Sequence, residues 1–146
     1  MIPARSHSVA LAGLAVGLLA GAFLLHEQHN LNHDVASFLY AARLMLEGGT
    51  LYQDFIDHNL PLASQSLIPV MWLSDRAGLP VSWALSLYVF AWAVPCWLLC
   101  LAMLRRWDNR FATSVFATVA LLVGFLYLPG YSIGQREHML TLLASP

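Results

Sequence analysis

Residues 31–62, LNHDVASFLYAARLMLEGGTLYQDFIDHNLPL, hold four of the eight acidic residues of the chain. They are Asp34, Glu47, Asp54 and Asp57, and His58 follows directly. A carboxylate in the first turn of a helix is favoured in its ionised form by unpaired backbone N–H groups and the positive end of the helix dipole. An ionised carboxylate can accept a proton as a general base. Asp34 is therefore the candidate catalytic residue, and the alternative is that it only caps its helix.

The element that must position Asp34 is a helix predicted over residues 34–47. At 100° per residue, one side of this segment is apolar and the other carries Tyr40, Arg43 and Glu47. The apolar side consists of Val35, Phe38, Leu39, Ala42, Met45 and Leu46. Asn32 or Asp34 can cap the first turn, and Gly48-Gly49 can supply a left-handed residue at the end. The pattern predicts an amphipathic helix.

A second short helix is predicted over residues 61–73, with Asp54, Asp57 and His58 in the loop before it. We interpret these three residues as candidate substrate-binding groups, and loop solvation is the alternative for each. No cofactor and no metal site is predicted, because the histidines at 26, 29 and 33 match no metal-binding motif such as HExxH. A divalent cation held by the loop remains an alternative.

The composition is that of a membrane protein, since 59% of the residues are apolar and 10% are charged, against about 25% charged in soluble domains. Uncharged stretches predict spans over residues 8–25, 81–104 and 111–128. A cleaved secretory signal is the alternative for 8–25. All seven basic residues are Arg and the net charge is −1, so nucleic acid is not an expected partner.

The distribution of arginines predicts the orientation of the spans. Arg5 and the Arg-rich turn over residues 105–110 are assigned to the cytoplasm by the positive-inside rule. The loop over residues 26–80 and the segment 129–146 would then lie outside, in the periplasm if the membrane is a bacterial inner membrane.

The expected fold class is an all-α integral membrane protein with about three transmembrane helices and an amphipathic helix in a long external loop. A new apolar stretch begins at residue 139, at the end of the 146 residues. We therefore expect residues 1–146 to be the amino-terminal part of a single, longer polytopic domain, and not to be active alone.

The external loop resembles the corresponding loop of the GT-C group of membrane glycosyltransferases, which includes protein mannosyltransferases and the aminoarabinose transferase of lipid A. In that group an Asp begins a short helix with a Tyr, and Gly, Leu-Tyr-x-Asp and Pro-Pro follow. The matching residues are Asp34, Tyr40, Gly48, Leu51, Tyr52, Asp54 and Pro61. Val35 and Leu60 depart from the pattern, since an acidic residue and a proline are usual there.

The resemblance implies a donor sugar carried on a polyprenyl phosphate, an acceptor that it does not identify, and Asp34 as the acid–base residue. Such a donor has a good leaving group, so the transfer needs mainly a base and a cation for the phosphate. Arg136, with its neighbour Glu137, is the expected contact to substrate, because Arg binds phosphate in a bidentate manner. The alternative is an ion pair between these two residues or a contact of Arg136 with a lipid headgroup.

Two other functions compete with a transferase. A transporter or flippase segment would place ionisable residues within the spans, and the three predicted spans contain no charged residue. A small non-catalytic membrane protein that binds a partner through its acidic loop is the third possibility.

Overall fold

The computed structural model describes residues 4–27, 31–56, 61–108, 110–129 and Gln135. These residues are all-helical, apart from one isolated bridge between Leu51 and Phe55, as predicted. The helices are α1 (Ala4–Glu27), α2 (His33–Leu46), α3 (Pro61–Gln65), α4 (Ile68–Ala77), α5 (Val81–Trp107) and α6 (Phe111–Leu126).

Two of the helices, α1 and α5, have the length and apolar composition needed to cross a bilayer. They contain the spans predicted over residues 8–25 and 81–104. The 27 residues of α5 extend about 40 Å, and its helix continues through Pro95. The 16 residues of α6 extend about 24 Å, which is shorter than the roughly 30 Å of a hydrocarbon core. Its helix ends at Leu126, before the predicted boundary at residue 128.

Helices α1, α5 and α6 pack into a three-helix bundle. At one end of α1, the ring of His7 stacks on that of Phe111, the first residue of α6, at 4.4 Å. At the other end, His26 Nε2 lies 2.8 Å from the carbonyl oxygen of Leu126, the last residue of α6. Contacts at both ends show that α1 and α6 run parallel. The ring of Phe23 contacts Trp83 near the start of α5 at 5.4 Å, so α5 runs in the opposite direction.

Buried polar side chains join α5 to α6 within the bundle. Trp97 Nε1 donates to the hydroxyl oxygen of Thr118 at 3.2 Å. The hydroxyl of Thr118 donates in turn to the carbonyl oxygen of Ser114 at 2.8 Å. The indole N–H of Trp97 and the hydroxyl of Thr118 therefore both have an acceptor inside the bundle, which avoids the cost of an unsatisfied polar group in apolar surroundings.

The turn between α5 and α6 is organised by Asp108. Its carboxylate accepts hydrogen bonds from the Thr113 hydroxyl at 2.7 Å and from the Arg110 backbone N–H at 3.0 Å. The bond from Thr113, followed by that from Arg110, holds the pKa of Asp108 below its ordinary value. This contribution to stability is present above the unfolded-state pKa and is lost as pH falls through the lower folded-state value.

The helix predicted over residues 61–73 is two helices in the structure. Helix α3 ends at Gln65 and α4 begins at Ile68, with Pro69 in its first turn. Proline lacks an N–H group and its ring clashes with the carbonyl four residues earlier, which here belongs to Gln65. The same proline suits the first turn of a new helix. Helix α4 then continues to Ala77, beyond the predicted end, and stops at Gly78, whose φ is +63°.

Helices α2 and α3 form an outer layer that reaches the bundle through α4, since α2 packs on α3 and α4 and α4 packs on α5. The apolar face predicted for α2 is largely confirmed, because Val35, Phe38, Leu39 and Ala42 are buried. Leu46 is an exception and is exposed. Gly48, with φ of +92°, supplies the left-handed residue predicted after the helix.

The three glycines spaced four apart on α1 differ in their surroundings. A Cβ atom at Gly21 would lie 2.5 Å from the hydroxyl oxygen of Tyr127, whereas one at Gly13 or Gly17 would meet no atom within 4 Å. The Tyr127 hydroxyl donates to the carbonyl oxygen of Leu18 at 2.7 Å. Within the described residues, Gly21 is therefore the one glycine of these three that has another segment packed closely against it.

Gly21→Ala should lower the free energy of unfolding by about 0.5–1.5 kcal/mol, because the methyl group displaces the Tyr127 hydroxyl and breaks its bond to Leu18. Gly17→Ala is the matched control and should be neutral or stabilising, since Ala favours helix over Gly. Thermal unfolding in detergent, followed by circular dichroism, measures both. Equal effects of the two substitutions would contradict this account of Gly21, and Tyr127→Phe should reproduce the loss.

Candidate functional site

The start of α2 is capped by Asn32 and not by Asp34. The side-chain oxygen of Asn32 accepts a hydrogen bond from the backbone N–H of Asp34 at 2.8 Å, and its carbonyl accepts from Ala36 at 2.8 Å. The sequence left Asn32 and Asp34 as alternatives for the cap. Because Asn32 takes this role, the carboxylate of Asp34 is left for other contacts.

The side chain of Asp34 is 64% exposed at the start of α2. Its Oδ2 atom accepts a hydrogen bond from Gln135 Nε2 at 3.3 Å. Its Oδ1 atom lies 3.8 Å from Nδ1 of His33, whose side chain is 93% exposed. A carboxylate that is open to solvent and fixed on one oxygen can accept a proton from a bound hydroxyl group.

Gln135 was not among the predicted site residues. It lies 101 residues from Asp34 in the sequence, and no periodicity or local motif links two positions so far apart. The sequence indicated only indirectly, through the predicted topology, that Gln135 could lie near Asp34. The predicted topology assigns the segment 129–146 and the loop over residues 26–80 to the same side of the membrane.

Asp54 has a structural contact in the turn over residues 50–55. Its Oδ2 atom accepts from the Thr50 N–H at 2.7 Å, and its own N–H donates to the Thr50 carbonyl at 3.0 Å. Tyr52 has φ of +71° in the same turn, and its N–H donates to the Phe55 carbonyl at 2.8 Å. One oxygen of the predicted substrate-binding residue Asp54 is therefore engaged with the backbone.

The turn packs back on α2 through aromatic rings. Phe55 meets Tyr40 edge to face at 5.5 Å, and Tyr40 is 56% exposed. A Cβ atom at Gly49, between the helix and the turn, would lie 2.9 Å from the Leu44 carbonyl oxygen and 3.5 Å from Asp54 Oδ2. A residue with a side chain would crowd this junction, so Gly49 allows the turn to close on the helix.

An ion pair joins α2 to α4. Arg43 Nη1 contacts Asp75 Oδ2, and Arg43 Nε lies 3.9 Å from Glu47 Oε1. The hydrogen bond to Asp75 is the main cause that raises the pKa of Arg43, so its guanidinium is charged throughout the physiological range. Glu47 is the i, i+4 neighbour of Arg43 on α2, whereas the closer partner, Asp75, comes from α4.

Four of the predicted substrate-binding residues, Asp57, His58, Arg136 and Glu137, lie outside the described residues. Among the residues that are described, no group of three His, Cys, Asp or Glu side chains is placed to hold a metal ion. His26 is buried and directed at α6, where its Nε2 must donate because the Leu126 carbonyl only accepts.

Comparison of the chain with protein-family models, with curated proteins and with solved structures finds no match. The feature of the described residues that bears on function is a solvent-accessible carboxylate at a helix start, with one oxygen hydrogen-bonded to a residue from a distant segment.

Substitutions of Asp54 should separate a structural role from a binding role. Asp54→Asn keeps a side-chain oxygen that can accept from Thr50, so the turn should survive, whereas Asp54→Ala should open it. Limited proteolysis over residues 48–56 measures the difference. Equal cleavage of both variants at the wild-type rate would contradict the structural role.

Proposed function

We propose that the protein is a membrane glycosyltransferase that moves a sugar from a polyprenyl-phosphate donor to an acceptor outside the cytoplasm, with Asp34 as the base. The observation that carries the proposal is the arrangement around Asp34. Asn32 supplies the cap of α2, Gln135 holds one carboxylate oxygen, and the side chain is open to an incoming group. The resemblance of residues 31–62 to the GT-C external loop supports it.

The reaction requires few groups from the protein. Asp34 removes the proton from the acceptor hydroxyl, and the acceptor oxygen forms a bond to the anomeric carbon. The bond from that carbon to the phosphate oxygen breaks, and its electron pair leaves with the polyprenyl phosphate. The negative charge on this leaving group needs a cation, and Arg136, next to Gln135 in the sequence, is the proposed partner.

The proposed topology has three crossings, by α1, α5 and α6. An odd number of crossings after the amino terminus returns the chain to the side on which α1 ends. The parallel arrangement of α1 and α6 supports this topology, because both helices end near the contact between His26 and Leu126. The bond between Gln135 and Asp34 supports it too, because the segment after α6 must share a side with α2.

Cysteine labelling tests the topology. With Cys96 and Cys100 replaced, Asp34→Cys and Gln135→Cys should react with a membrane-impermeant maleimide added outside intact cells. Arg106→Cys should react only after the cells are opened, because it lies in the Arg-rich end assigned to the cytoplasm. Opposite accessibility of positions 34 and 135 would overturn the proposed three crossings.

Asp34→Asn should abolish transfer, because the amide keeps the size of the side chain and cannot take the proton of the acceptor. The substitution is made in the chromosomal gene, and isolated membranes are given polyprenyl phosphates that carry radiolabelled hexoses or pentoses. Loss of label from the lipid fraction measures transfer, and we expect a decrease of about 100-fold or more. Immunoblots of the membranes establish equal protein levels.

Glu47→Gln is the matched control, since it also removes an exposed carboxylate from the end of α2. It should leave transfer near the wild-type rate. Transfer retained by Asp34→Asn would remove Asp34 from the mechanism. Wild-type membranes that consume none of the labelled donors in excess of a deletion strain would overturn the proposed activity.

A further inference from the structure

We infer that Gln135 is a positioning residue, which fixes one oxygen of the Asp34 carboxylate and leaves the other for the acceptor hydroxyl. This inference rests on the proposed function of Asp34. It adds a second residue to the reaction site, contributed by the segment that follows α6.

The two carboxylate oxygens of Asp34 have different neighbours. Oδ2 accepts the bond from Gln135 Nε2 at 3.3 Å. Oδ1 has the ring of His33 at 3.8 Å, which is beyond the usual hydrogen-bond distance, and that ring is almost fully exposed. The backbone N–H of Asp34 is held by Asn32 at 2.8 Å. Among the described residues, the main chain and Oδ2 therefore each have a hydrogen-bond partner, and we assign Oδ1 to the acceptor hydroxyl.

A neutral donor suits a carboxylate that must act as a base. An Arg or Lys at position 135 would form an ion pair with Asp34, stabilise its charged form strongly and make it a weaker base. The amide of Gln135 restricts the rotation of the carboxylate and adds no charge. Proton transfer depends on such restricted geometry, because the base must lie within hydrogen-bond reach of the hydroxyl.

The end of α6, which precedes Gln135 in the chain, is held in place on α1. Leu126 is held by His26 through its carbonyl, and Tyr127 is held by Leu18 through its hydroxyl. These two bonds fix the end of α6 on the end of α1 that leads towards α2. In the sequence, Gln135 follows Tyr127 by eight residues and Asp34 follows His26 by eight residues, so both partners come shortly after this junction.

Kinetics of Gln135 variants test the inference. Gln135→Met has a similar length and lacks the donor, so kcat should fall about tenfold while KM for the polyprenyl-phosphate sugar stays near the wild-type value. Gln135→Glu places a second carboxylate against Asp34 and should lower kcat further. Gln53→Met, an exposed glutamine in the turn over residues 50–55, is the control and should behave as wild type.

A double variant shows whether Gln135 acts through Asp34. Asp34→Asn with Gln135→Met should be no slower than Asp34→Asn alone, because the residue that Gln135 positions is already inactive. Additive losses would overturn the positioning role, and so would a Gln135→Met variant in which KM rises and kcat is unchanged.

Chemical modification of carboxylates tests the hydrogen bond between Gln135 and Asp34 without an activity assay. Carboxylates of the purified wild-type protein are coupled to glycine ethyl ester with a water-soluble carbodiimide, and mass spectrometry compares modification of Asp34 with that of Glu47. In Gln135→Met the ratio of Asp34 to Glu47 should rise, because the carboxylate loses its donor, and Gln53→Met should leave it unchanged.

The two measurements separate the inference from the function on which it rests. An unchanged modification ratio in Gln135→Met overturns the role of Gln135, even where Asp34→Asn is inactive and the proposed base stands. Retained transfer by Asp34→Asn overturns the proposed base, and the positioning role with it, even where the modification ratio changes.

Discussion

The carbonyl groups in the last turn of an apolar helix have no N–H partner within the helix, and this constraint organises one end of the molecule. In α6 the carbonyl of Leu126 is met by the buried ring of His26. A carbonyl left unsatisfied in apolar surroundings would cost several kcal/mol, so the bond strongly favours α1 and α6 ending together. Tyr127 adds a second hydrogen bond to α1. Its hydroxyl can approach the helix there because Gly21 has no side chain.

The outer layer of helices depends on apolar packing more than on charge. Val35 and Phe38 on α2 and Val70 and Met71 on α4 are buried in the same core. Each such side chain contributes about 1.5–3 kcal/mol on burial. The pair of Arg43 and Asp75 is partly exposed and screened by salt, so it contributes less to stability.

Features encoded locally were predictable from the sequence. The 3.6-residue period located α2 to within one residue at each end, and the glycine after it was correctly assigned to a left-handed conformation. The division into α3 and α4 was missed although it too is local. The apolar run interrupted by Gln65 and Pro69 indicates one helix over residues 61–73, whereas the clash of Pro69 with the carbonyl of Gln65 divides it into two.

Contacts between distant segments were beyond local patterns. Arg43 and Asp75 are 32 residues apart, and Asp34 and Gln135 are 101 apart. Their meeting depends on how the helices pack, which periodicity does not specify. Asp54 is different, because its contact is local: the N–H of Thr50, four residues earlier, donates to its carboxylate. Its residue type suggests a binding group, and Gly49 leaves room for the turn that brings this backbone donor to the carboxylate.

The length of the bundle bears on how deep in the membrane the proposed site would lie. From His7 to His26, α1 rises about 28 Å, which is close to the thickness of a hydrocarbon core. Arg105, Arg106 and the exposed Trp107 lie at the end of α5, where cationic and aromatic side chains suit a headgroup layer. The other end of the bundle carries His26, and Asp34 follows eight residues later. In the proposed topology, this end of the bundle meets the opposite headgroups, and we place the carboxylate at their level. A polyprenyl phosphate, whose chain must stay in the hydrocarbon, presents its sugar at that same level.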